Sequence, residues 1–128
     1  MADLLALDTE VRRRVEALVG WSREFQAPFT ITSAFRSPAS QRRLYDAWLA
    51  RGRTGLPAAR PGFSTHEHGF AIDLVPQKSR DLPLIVQLAE CAGLLWAGRK
   101  DPVHFDAFGF AGWAKLLAGR PFSPQYRC

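Results

Sequence analysis

Apolar residues near the start of the chain recur at helical spacing. Val11, Val15, Leu18 and Phe25 fall close to one face, while Arg12, Arg13 and Glu16 occupy the other, which is the pattern of an amphipathic helix. Asp8 or Thr9 can cap its start and Pro28 ends it, so a helix is predicted to about Phe25. Residues 29–33 then alternate apolar and hydroxyl side chains (Phe29, Thr30, Ile31, Thr32, Ser33), a half-buried strand signal. Ser37 and Pro38 suit the N-cap and first position of a second helix, which carries Gln41, Leu44, Tyr45 and Trp48 and stops near Gly52. Three glycines and two prolines in residues 52–63 predict a loop. Residues 71–75 read as a strand, about 81–95 as a third helix with Pro83 in its first turn, 103–106 as a short strand and 110–117 as a last helix.

The order is α-β-α-loop-β-α-β-α, with no internal repeat, linker or glycine-rich phosphate loop. It predicts one α+β domain over residues 1–128, a small, mostly antiparallel sheet flanked by helices. At 128 residues there is room for one core and no second. The formal charge of +5 favours a polyanionic partner. The basic residues are scattered and no aromatic-rich basic stripe accompanies them, so nucleic acid is not the expected partner. Cys91 lies in the apolar run 84–95 and is predicted to be a packed core thiol, with Cys128 frayed. Neither belongs to a CxxC pair, which excludes a cysteine-rich zinc site. The first ten residues lack a secretory pattern and no run is long enough to insert in a membrane, so synthesis in the cytoplasm is expected.

All three histidines stand near acidic residues: His66 and His68 ahead of Asp73, and His104 between Asp101 and Asp106. A catalytic zinc takes three protein ligands and leaves a fourth position for water, and His66, Asp73 and His104 can supply them. Fully extended, residues 66 and 73 would stand roughly 23 Å apart at about 3.3 Å per residue. Two ligands of one metal therefore need a chain reversal between them, for which Gly69 is suited. The pair His66 and His68 could equally be ligands on spacing alone, and a histidine beside a carboxylate is often only a surface pair. No G-x-S-x-G elbow is present, and neither cysteine is near a histidine in sequence.

The stretch S-x-H-x-x-G-x-A-x-D, here Ser64, His66, Gly69, Ala71 and Asp73, resembles the signature of a known family. It is the zinc D-alanyl-D-alanine carboxypeptidase and dipeptidase family, which includes the L-alanyl-D-glutamate endopeptidases of phage lysins. Asp101-x-x-His104 is similar to its second motif, and Ser33, Phe35, Arg36 and Ser37, followed by Gln41, Leu44 and Tyr45, to a third, with Phe35 in place of the usual tyrosine. The resemblance implies a Hedgehog/DD-peptidase-like fold and zinc held by His66, Asp73 and His104. It also implies Asp101 as general base, and Arg36 holding substrate or a developing oxyanion. Aspartate at 101, where the dipeptidases tend to carry glutamate, looks more like the phage endopeptidase branch.

Other residues are weighed by position. Glu67 is a rival base, but neighbours on an extended chain point to opposite faces. Asp106 shares a face with His104 and could support that ligand. Ser64, Gln41, His68 and Trp96 are candidate substrate contacts, although Ser64 could simply cap a turn. The expected activity is an L-alanyl-D-glutamate endopeptidase acting on bacterial peptidoglycan. A D-alanyl-D-alanine carboxypeptidase and a non-catalytic, zinc-stabilised phage protein are the alternatives. Delivery to the wall by a holin, a virion or a secretion apparatus is expected.

Overall fold

The computed structural model of the protein describes residues 4–55 and 58–107. Its elements in order are α1 (Thr9–Glu24), β1 (Phe29–Ser33), α2 (Pro38–Ala50), β2 (Ala71–Pro76), α3 (Leu82–Ala92), β3 (Leu95–Trp96) and β4 (His104–Asp106), with 3-10 turns at Thr65–His68 and Ser79–Asp81. The helix predicted over 110–117, Trp113 and Cys128 lie outside the described residues.

Local chemistry sets the helix ends. The Asp8 carboxylate accepts from the Glu10 and Val11 amides at 3.1 and 3.2 Å and starts α1. The Ser37 hydroxyl accepts from the Ser40 amide at 3.1 Å and starts α2. Two expectations need correction at the other ends. α3 stops at Ala92 because Gly93 takes a left-handed φ of 86°, and Leu95 and Trp96, predicted at or just beyond the end of a helix, form a strand instead. The buried stripe of α1 closes on Ser22, leaving Phe25 exposed at the C-cap.

The strands order as β1-β2-β4-β3 and every pair is antiparallel. Side-chain alternation gives this sheet two distinct faces. Ile72, Leu74 and Phe105 are fully buried in one core with Val11, Val15 and Leu18 of α1 and Ile85, Ala89 and Ala92 of α3. Each large apolar side chain so buried contributes on the order of 1.5–3 kcal/mol. Arg14, only 1% exposed, ties the two helices together by donating to the Gly93 carbonyl at 2.8 Å. Cys91 is half-buried, at the edge of the core rather than within it. Among the described residues no helix is long and apolar enough to cross a membrane.

Candidate metal centre

The opposite sheet face carries the chemistry. Asp73 and His104 are directly paired across β2 and β4, so strand pairing alone sets their side chains next to each other. His66 reaches the same point from the 3-10 turn. The Ser64 hydroxyl caps that turn by accepting from the His66 amide at 3.3 Å. Gly69 ends it at φ 74°, and a Cβ there would lie 2.8 Å from the Asp8 backbone nitrogen. Only glycine tolerates both the angle and the approach, so the required chain reversal occurs at the position the spacing indicated.

His66 Nε2 lies 3.1 Å from Asp73 Oδ1 and 3.2 Å from His104 Nδ1, and His104 Nδ1 lies 3.3 Å from the same Oδ1. All three donor atoms fall within 4.8 Å of one another. The far side of each ring is also engaged. His66 Nδ1 lies 2.8 Å from the Ala34 carbonyl, which can only accept, so this nitrogen carries the proton and Nε2 presents its lone pair. His104 Nε2 lies 3.0 Å from Asp106 Oδ2, which turns Nδ1 inward in the same way. Two imidazoles with inward lone pairs and an ionised carboxylate are a donor set that fits zinc, with outer partners that hold the rings in the binding tautomer.

Protons compete with a metal for these inward positions. Burial disfavours charge on Asp73, yet hydrogen bonds from His104 and His66 outweigh it and hold the carboxyl far below its usual range. Burial likewise opposes charge on His104, but hydrogen bonds to Asp106 and Asp73 push it up to about 9. Asp101 is raised, chiefly because it is partly removed from water.

These groups line one side of a cleft of about 660 Å³ that also contains Arg36, Gln41, Ser64, Trp96 and Asp101. Arg36 donates to Ser33 Oγ at 3.0 Å and to Gln41 Oε1 at 2.9 Å, and stands 3.6 Å from Asp73 Oδ2. Gln41 is 1% exposed and donates onward to the Ala59 carbonyl at 2.7 Å, so it clamps Arg36 to the cleft wall. Trp96 donates through Nε1 to the Pro102 carbonyl at 2.9 Å.

Two candidates fall elsewhere. His68 is exposed, stacks on Phe70 with ring centroids 6.0 Å apart, and is not among the residues lining the cleft. The Glu67 carboxylate accepts from the Gly62 amide at 2.9 Å and also lies off the cleft. The structure therefore separates His66 from His68, which spacing alone left equivalent. Thr65, Phe63 and Arg51 line the cleft as well. Thr65 stands beside His66 in the motif, but nothing in the local pattern marks the other two.

The sequence matches the VanY family model, described as D-alanyl-D-alanine carboxypeptidase, over residues 5–111. The chain belongs to this family. No curated protein matches the VanY-family chain significantly. Among solved structures, it is similar to the D,D-pentapeptidase VanY of a VanB-type resistance cassette, crystallised as an E175A mutant with Zn(II): 17% identity, TM-score 0.68, 89% of this chain and 80% of that one. It is also similar to the L-Ala D-Glu endopeptidase ChiX of Serratia marcescens, with 21% identity, TM-score 0.60 and 80% and 81% coverage. DacB of Streptococcus pneumoniae D39 gives 16% identity, TM-score 0.67 and 92% and 79% coverage. These likenesses support the α+β fold read from the pattern of elements.

Proposed function

We propose that this VanY-family chain is a zinc peptidase that hydrolyses an amide bond in the peptide stems of bacterial peptidoglycan, with L-alanyl-D-glutamate endopeptidase specificity. The observation that carries the reading is the convergence of His66 Nε2, Asp73 Oδ1 and His104 Nδ1 within 4.8 Å on the wall of a cleft that also holds Asp101 and Arg36. His66, Asp73 and His104 would hold the zinc. When bound, zinc acidifies a water molecule and polarises the scissile carbonyl. Asp101 accepts the proton at its carboxylate and delivers it to the leaving amine. Its partial burial keeps a proton on that carboxylate less costly than it would be in water. Arg36, fixed by Gln41 and Ser33, presents a cation to the developing negative charge on the carbonyl oxygen.

Aspartate rather than glutamate at 101 supports the endopeptidase branch. The description of the family model supports a second reading, removal of a terminal D-alanine. Digestion of wall fragments whose stems are still attached to the sugar through the first alanine, by zinc-loaded protein and followed by mass spectrometry, separates them. New alanine carboxyl termini support the endopeptidase, free alanine supports the carboxypeptidase, and neither product overturns both.

A further inference from the structure

A second arginine belongs to the lining of the cleft. Arg36 is engaged by Ser33, Gln41 and Asp73. Arg51, at the C-cap of α2, lines the same cleft as His66, Asp73 and Asp101. Its backbone is anchored: the amide donates to the Ala47 carbonyl at 3.1 Å and its carbonyl accepts from the Thr54 hydroxyl at 2.8 Å.

The arginines around it are occupied. Arg42 stands 3.7 Å from Asp46, and Arg43 donates to Ser40 Oγ at 3.0 Å. Arg53 lies over Trp48 at 6.0 Å and Arg60 over Phe63 at 5.1 Å. Among the described residues Arg51 has no such side-chain partner. Leu44, Phe63 and Ala58 line the cleft with it, and the first two are exposed apolar side chains. Arg51 is exposed and has no internal counter-ion among the described residues, so its guanidinium can turn to an anion that enters the cleft. Its planar fork matches a carboxylate through two parallel hydrogen bonds.

We propose that Arg51 is a specificity-determining residue that binds a free carboxylate of the peptide substrate while the scissile amide lies at the metal centre; this rests on the peptidase reading above. A stem peptide offers that chemistry from two places, the α-carboxylate of its γ-linked D-glutamate and its C-terminus.

The test compares a parent stem peptide with one amidated at the glutamate α-carboxyl and one amidated at the C-terminus. Wild-type protein and Arg51→Gln and Arg51→Lys variants are used, all zinc-loaded. One amidation is expected to lower the wild-type kcat/KM by about 10-fold or more, the worth of a charge-assisted hydrogen bond. Which amidation does so identifies the source. R51Q should cleave the parent at that lowered level, mainly through KM, and no longer discriminate, while R51K retains an intermediate preference. Wild type indifferent to both amidations, or R51Q as discriminating as wild type, overturns the proposal.

Peptide binding to the metal-free proteins by calorimetry separates this failure from failure of the peptidase reading. If wild type cleaves nothing yet binds the parent about 10-fold more tightly than R51Q does, Arg51 holds the carboxylate and only the hydrolytic role falls. Equal binding by both proteins overturns the assignment of Arg51.

Discussion

Asp106→Asn perturbs the metal centre without touching a ligand. Asp106 Oδ2 stands 3.0 Å from His104 Nε2, and this contact does two opposed things. It orients the ring and strengthens Nδ1 as a donor, and losing such an outer partner costs about 10–100-fold in metal affinity. It also helps hold the metal-free His104 pKa at about 9, and zinc must displace that proton. At pH 7, two units below, the displacement weakens binding by about 100-fold, whereas at pH 9 it costs only about 2-fold.

Asparagine retains an acceptor but not the charge, so the His104 pKa falls and the proton penalty shrinks. The expected result is a zinc affinity about 10–100-fold weaker than wild type at pH 9, with a smaller deficit at pH 7. Competition against a chelator of known affinity at both values measures it. Calorimetry in buffers of different ionisation enthalpy counts the protons released. A deficit that is the same at both pH values, or absent at pH 9, would refute the link between Asp106, ring orientation and His104 protonation.

Asp101→Asn should lower turnover by about 10²–10⁴-fold with zinc retained, checked by metal analysis of the assayed sample; a loss of zinc would reassign Asp101 to the metal. Arg36→Ala should cost about 10²–10³-fold in kcat. Gln41→Ala should cost much less in the Arg36→Ala background than in wild type, because it acts through Arg36, and full additivity in the double-mutant cycle would contradict that. Gly69→Ala forces a side chain into left-handed backbone and against Asp8, so unfolding should require more than about 2 kcal/mol less free energy, read from denaturant midpoints. The +5 charge should hold an anionic wall by attraction that salt screens. Wall hydrolysis should therefore fall as ionic strength rises while cleavage of a short neutral peptide does not, and equal salt responses would remove the steering role.

Much of the scaffold was written in local pattern. Asp8, Ser37 and Pro38 start the helices, and the alternation in residues 29–33 marks β1, because caps and side-chain periods depend on residues a few positions apart. The motif residues His66, Gly69, Asp73 and His104 were legible for the same reason: few residue types bind zinc, and few allow the reversal between the first two ligands. β3 was missed because a two-residue strand has no period of its own and exists only by pairing with β4.

The chain alone thus determined which side chains could bind a metal and where the backbone must turn. Tertiary structure decided that Asp73 faces His104 across two strands, that Ala34 and Asp106 set the ring tautomers, and that His68 lies off the cleft. It also brought Arg51 and Arg36 into one cleft. Such relations depend on strand register and on the packing of α2 and its loop, and these are fixed by burial of the whole core rather than by any neighbouring residue.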